Sequence, residues 1–145
     1  MITQKGLEFL RNKEGLRLEA YQCTGKKWTI GYGHTKDVKE GDVCTLEQAE
    51  QWLFEDCQDV IKGLQNIGFK RDLNENQWVA LLSLIFNIGI GHFMQSTVKK
   101  ELLKTKWLKS ELTKAWKAWR MADGKIDAGL VARRKEETKL FFETV

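Results

Sequence analysis

Apolar positions along this chain recur at helical spacing, then alternate, then return to helical spacing up to the C-terminus. Ile2, Gly6, Phe9 and Leu10 fall on one side of a helix over 3–14, with Thr3 as its N-cap and Gly15 as a left-handed C-cap. The period then shortens. Leu18, Ala20 and Trp28, Ile30 flank the polar run CTGKK, which reads as a hairpin, and GYGHTKDV offers a third short strand. From Thr45 the helical period resumes. Thr45 and Gln48 form a capping box ahead of a long apolar face through Ala49, Trp52, Leu53, Cys57, Val60, Ile61 and Leu64. Asn74 and Gln77 form a second box. The segment it opens, WVALLSLIFNIG, is apolar nearly all round and is expected at the buried centre of a helical lobe, ending at Gly89 and Gly91. Ser96 caps a short helix. Leu108, Leu112, Ala115, Trp116 and Trp119 mark another, and Asp127 caps a last one carrying Leu130, Val131, Leu140 and Phe141.

This order predicts an α+β protein: a small N-terminal antiparallel sheet lobe and a larger C-terminal helical lobe joined by one long helix. The sheet lobe covers about 15–45, the shared helix about 46–66, and the helical lobe about 67–145 together with the N-terminal helix. A chain of 145 residues without proline, repeats or a low-complexity linker is expected to form a single domain, 1–145. The cleft between two such lobes is the expected binding site.

Composition narrows the function classes. No apolar run approaches the roughly 18 residues of a membrane span, and the charged N-terminus MITQKGLEFLRNKEG is no secretory segment. A cytoplasmic chain without stable membrane insertion is therefore expected. Cys23, Cys44 and Cys57 are an odd set without close spacing, which favours free thiols in a reducing compartment. With only His34 and His92 beside them, no metal site and no cofactor are expected. Residues 96–145 hold 13 Lys and Arg against 7 Asp and Glu, a balance of +6, while residues 1–95 hold 11 against 13. A basic half suits an anionic partner such as nucleic acid, lipid headgroups or an acidic wall polymer, and equally suits a set of solvated helix faces.

The chemistry concentrates in residues 14–35, EGLRLEAYQCTGKKWTIGYGHT. Glu14, at a helix end facing a polar hairpin, is placed as a general acid for glycoside cleavage. The negative end of its own helix, the apolar neighbours Leu16 and Leu18, and shelter from the sheet lobe are expected to favour its protonated form. A surface glutamate, or one paired with Arg133 or Arg134, fits the same position. Gly25, Gly31 and Gly33 supply the turns that could gather Glu14, Cys23 and Thr29.

Glu14, Cys23 and Thr29, embedded in EGLRLEAY and WTIGYGHT, closely resemble the catalytic stretch of the phage-type lysozymes, the endolysin family of glycoside hydrolases. NQWVALLSLIFNIG, GHFMQST, AWKAWRMADGK and GLVARRKEETKLF resemble later segments of the same family in the same order. The resemblance implies a lysozyme-like fold and hydrolysis, with inversion, of the β-1,4 bond between N-acetylmuramic acid and N-acetylglucosamine in peptidoglycan. It implies Glu14 as proton donor and Thr29 as holder of the attacking water. It also implies Tyr32, Gly33, Phe86 and Ser96 as substrate contacts. As partners it implies peptidoglycan, a holin-like membrane pore for access to the wall and no nucleic acid, with a monomer sufficing.

Cys23 departs from the family, which most often carries Asp there. A thiolate is a base or a nucleophile, the latter implying retention, and a neutral thiol would merely fill the position. A free thiol needs help to ionise, from Lys26 or Lys27 for instance. The missing Asp keeps a lytic transglycosylase open as an alternative, and a non-catalytic wall- or nucleic-acid-binding module is a third. His34 reads as structural with Asp56 as partner, and Trp78, Trp116 and Trp119 read as core.

Overall fold

The computed structural model describes residues 2–23 and 25–143; Thr24, in the CTGKK turn, lies outside them. The chain divides into two units, Met1–Gly63 and Leu64–Val145.

In the first unit, α1 (Gln4–Glu14) starts at Thr3, whose hydroxyl accepts from the Gly6 amide at 3.5 Å. The helix buries Gly6, Leu7 and Leu10 and leaves Phe9 half-buried, so its apolar stripe centres on Leu7. Gly15 ends it with φ 68 and ψ 158. The positive φ is the one expected of a glycine cap, but the extended ψ sends the chain straight into a strand. Strands β1 (Arg17–Gln22) and β2 (Trp28–Gly31) pair antiparallel, with Tyr21 opposite Thr29 and Gln22 opposite Trp28. The register breaks between Arg17 and Tyr21, and Leu18 is 47% exposed, so alternation on β1 does not bury it.

The expected third strand is reduced to isolated bridges, Ile30 with His34 and Glu19 with Val43. Gly31 (φ 66) and Gly33 (φ 78) fold the chain back on itself where an extended strand would need negative φ. Gly31 also lies against the next helix: a Cβ there would sit 3.1 Å from Ala49 Cβ. That helix, α2 (Leu46–Leu64), opens with the expected box: the Thr45 amide donates to Gln48 Oε1 at 2.9 Å and the Gln48 amide to Thr45 Oγ1 at 3.1 Å. Ile30, Cys44 and Ala49 form a core under the hairpin, with Ala20, Tyr32, Val38 and Trp52 packed around it.

The second unit holds α3 (Glu75–Ile88), α4 (Ile90–Met94), α5 (Thr97–Leu102), α6 (Lys109–Lys117), β3 (Met121–Ala122), β4 (Lys125–Ile126) and α7 (Ala128–Phe141). The Asn74–Gln77 box caps α3, every residue from Val79 to Ile85 is buried, and α7 packs on it. Gly89 ends α3 as expected, whereas Gly91 lies inside α4. Ser96 and Asp127 cap α5 and α7 through the Lys99 and Leu130 amides.

Two features of this unit depart from the apolar pattern. The β3–β4 hairpin turns at Asp123 (φ 51) and Gly124 (φ 76), the positive pair that a tight two-residue hairpin loop requires. And α7 turns charge inward: Arg134, Glu137 and Thr138 are buried beside Phe141, while Val131 is 43% exposed. Glu137 is surrounded by donors. Ser83 Oγ and Arg134 Nη2 donate to Oε2, and Trp116 Nε1 donates to Oε1 at 3.0 Å. Arg133 Nε donates to Oε2 at 3.2 Å, and Arg134 Nε lies 2.7 Å from Oε1. A charge this deep is tolerable only with such pairing. Among the described residues no helix is long and apolar enough to cross a membrane.

Candidate active site

Five of the seven expected site residues belong to the first unit. Glu14 is the last residue of α1 and half-buried. The Gly15 amide, donating to Arg11 O at 3.0 Å, closes the helix immediately behind it. Across from it lies Gly33: a Cβ built there would be 3.4 Å from Glu14 Oε1 and 3.7 Å from Cδ. With no side chain at Gly33, bare backbone lies beside the carboxyl on that flank. Leu16 and Leu18, expected as its apolar neighbours, are 40% and 47% exposed.

Cys23 opens the turn between β1 and β2. Its amide donates to Lys27 O at 3.0 Å and its carbonyl accepts from the Lys26 amide at 2.8 Å, a tight reversal that places Lys26 at φ 60. The Gly25 amide, then the Lys27 amide, hold the Cys23 thiol below its ordinary pKa; burial opposes them more weakly, and the Thr29 hydroxyl adds a lesser lowering effect. The groups that lower it are backbone amides and a hydroxyl, and the Lys26 and Lys27 ammonium groups that the sequence suggested are not among them.

Thr29 sits on β2 with 4% exposure, and its hydroxyl donates to Lys27 O at 3.0 Å. One hydroxyl carries one proton, so donation to the Lys27 carbonyl and donation to the Cys23 sulfur are alternatives. The first suits a neutral thiol and the second a thiolate.

Tyr32 is half-buried against the hairpin core, and Gly33 is exposed. His34 is 8% exposed. Its Nδ1 is 2.9 Å from Asp56 Oδ2, and its ring stacks on Trp52 at 4.6 Å between centroids. One ring face and one nitrogen are thus engaged within the unit, in keeping with the structural role expected of it.

Phe86 and Ser96 belong to the second unit. Phe86 is half-buried on α3. Ser96 is 9% exposed, and its hydroxyl is engaged locally, donating to Phe93 O at 2.7 Å and accepting from the Lys99 amide at 3.1 Å. It borders a cavity of about 590 Å³ whose walls include Glu101, Glu111, Lys114 and Trp119. Trp116 is core, as expected, with no exposure, but Trp78 and Trp119 are half-buried and line surface cavities. The other two thiols contrast with Cys23: burial raises the pKa of Cys44, and burial with the nearby Asp56 carboxylate pushes that of Cys57 up to about 12.

Fold and hairpin together are those of a lysozyme-type glycoside hydrolase. The phage lysozyme family model matches residues 11–137, and the chain belongs to that family. An endolysin of Acyrthosiphon pisum secondary endosymbiont phage 1 is 43% identical over 144 residues, covering 97% of each chain. Among solved structures, the muramidase domain of SpmX from Asticaccaulis excentricus superimposes with a TM-score of 0.84 at 34% identity, covering 99% of both chains. The endolysin of Escherichia coli O157:H7 phage FAHEc1 does so with a TM-score of 0.79 at 33% identity, covering 100% of this chain and 95% of its own.

Proposed function

We propose that this endolysin-type muramidase cleaves the β-1,4 bond between N-acetylmuramic acid and N-acetylglucosamine by acid–base hydrolysis, with Glu14 as acid and Cys23 as base. Glu14 gives its proton to the glycosidic oxygen as the bond from that oxygen to the anomeric carbon breaks. A water attacks the carbon from the opposite face and passes its proton to the Cys23 thiolate. The product sugar is inverted, and solvent returns both side chains to their starting states. Thr29 donates its proton to the sulfur, which keeps a lone pair of its oxygen free to accept from the attacking water. Gly33 lets the sugar approach the Glu14 carboxyl past bare backbone, Tyr32 borders that approach, and Phe86 and Ser96 are further glycan contacts.

What supports this reading is the Cys23 thiol itself, which sits in the hairpin turn and is held below its ordinary pKa chiefly by the Gly25 and Lys27 amides; a base needs its anion and a space-filling thiol does not. The protein works as a monomer without a cofactor. It waits in the host cytoplasm and reaches the wall through a pore made by a separate membrane protein.

The test is Glu14→Gln, which keeps shape and removes the proton. Clearing of cell walls should fall by at least the ~10²–10⁴-fold typical of general acid–base catalysis, with an unchanged melting curve. A purified variant clearing walls at more than about a tenth of the parent rate would take the acid role from Glu14.

A further inference from the structure

Trp78 reads as core in the sequence, yet it is half-buried, and with Phe69 it forms one wall of a separate surface cavity in the second unit. The cavity measures about 250 Å³, and its remaining walls are Gln65, Arg71, Asp72 and the buried Leu73. The two aromatic rings meet edge to face, with centroids 6.0 Å apart and planes at 89°. Such contact fixes the indole plane. Arg71 is fixed as well: its guanidinium lies over the Trp107 ring at 4.1 Å, and Nη2 donates to Thr105 O at 3.4 Å. A guanidinium has five N–H donors, so that bond leaves others for a ligand. The Asp72 carboxylate and Gln65 amide are exposed side chains at the same opening.

We propose that this cavity is a second glycan-binding site, accepting one 2-acetamido sugar ring of the wall polymer. This rests on the reading of the chain as a peptidoglycan hydrolase. An indole in the wall offers apolar aromatic surface to the C–H face of a pyranose. Around its edge stand an acceptor-only carboxylate, a guanidinium that only donates, and an amide that does both, which suits the mixed hydroxyl and acetamido groups of such a ring. Arg71 and Asp72 are the charged residues of its lining and cancel, so the lining carries no net charge to favour a phosphate or another simple anion. Its volume lies below the roughly 300–1,000 Å³ of pockets for drug-sized ligands, which suits a single ring. None of its residues belongs to the proposed catalytic set, so the site would hold the enzyme on insoluble wall between cleavages without taking part in chemistry.

The experiment uses the full chain with Glu14→Gln, so that bound glycan survives. The probes are N-acetylglucosamine oligomers and purified peptidoglycan sacculi. In NMR titrations with the oligomer, the indole N–H resonance of Trp78, assigned through Trp78→Phe, should shift. The shift should be lost in Gln65→Ala/Asp72→Ala, two exposed positions whose change leaves the fold intact. In the otherwise wild-type enzyme, that double variant should retain kcat/KM on a short soluble oligomer. Trp78→Phe and the double variant should each bind sacculi about two- to tenfold more weakly, the loss expected from one aromatic or polar contact set. A Trp78 resonance unmoved by oligomer, or sacculus binding unchanged in both variants, overturns the proposal. So does a resonance that moves with free stem peptide and not with sugar. Failure here leaves the Glu14→Gln result untouched, and retention of lysis by Glu14→Gln leaves this binding result untouched.

Discussion

Replacing Gly33 with alanine tests whether the flank of Glu14 beside Gly33 is a substrate path. Two effects follow from one methyl group. Gly33 has φ +78, where a residue with a Cβ is strained by about 1–2 kcal/mol. The new Cβ also stands 3.4 Å from Glu14 Oε1, an ordinary contact, so it does not expel the carboxyl but occupies the side from which a sugar would come. Gly41 separates the two effects: its φ is +88, and nothing lies within 4 Å of a Cβ built there. Gly41→Ala should therefore carry the strain alone. Both variants should lose about 1–2 kcal/mol in urea denaturation, or about 2–8 °C in melting temperature. Only Gly33→Ala should lose activity. A substrate held off by about 1 Å costs on the order of 10²-fold, so kcat/KM on a soluble wall oligomer should drop about 10- to 100-fold, against little change in Gly41→Ala. If the two variants fell within about threefold of each other in kcat/KM, the flank beside Gly33 would not be a substrate path, and the assignment of Glu14 as acid would lose its geometric support.

Other outcomes follow from the thiols and the buried charges. Iodoacetamide should label Cys23 alone in the native protein and abolish activity, because Cys44 and Cys57 are buried thiols with raised pKa values. Peptide mass mapping checks this, and native labelling of Cys57 would contradict it. Cys23→Asp should stay active and Cys23→Ser should lose far more, since a hydroxyl carries no charge near neutral pH; a Ser variant within about threefold of the parent kcat/KM would rule out an essential thiolate. Because the folded state lowers the Cys23 pKa, its contribution to stability is complete above the free-thiol value of about 8.5 and is lost as pH falls through the lowered native value. Urea midpoints should therefore lose more on acidification through that window in the parent than in Cys23→Ser. Glu137→Ala removes the carboxylate paired with Arg134, which has no exposure, and should cost about 3–5 kcal/mol; a loss under about 1 kcal/mol would show that the network adds nothing.

How much of this was legible in the sequence differs by element. The two capping boxes and the caps at Thr3, Ser96 and Asp127 were readable because each is a local pattern whose partner lies three residues away. The long helices followed from periodicity. The missing third strand did not, although GYGHT carries two glycines whose positive φ values forbid extension, a signal that outweighs β propensity when the spacing is so short. Asp123-Gly124 is as strong a hairpin signal as a sequence offers, yet the strands around it have two residues each, too few to show alternation. On α7 the buried stripe is Arg134, Glu137, Thr138 and Phe141, so a search for apolar spacing looks at the wrong face. Only the partners on α3 and α6, Ser83 and Trp116, explain why charge belongs there, and those are more than twenty residues away in sequence.

The turn between β1 and β2 bears on the thiol that stands where the resemblance implies an Asp. The Gly25 and Lys27 amides and the Thr29 hydroxyl lower the Cys23 pKa, within a backbone reversal that holds Lys26 at φ 60. Such donors select negative charge and do not select the atom that bears it. A carboxylate would be ionised there at every working pH. A thiolate is present only above its lowered pKa, so a Cys23 base would set a pH threshold on the acid side of activity. It would also bring a chemical weakness that a carboxylate lacks, since a thiolate reacts with electrophiles. Activity profiles of the parent and Cys23→Asp should therefore separate as pH falls and converge as it rises. Parallel profiles across that range would mean that the sulfur takes no proton in the reaction.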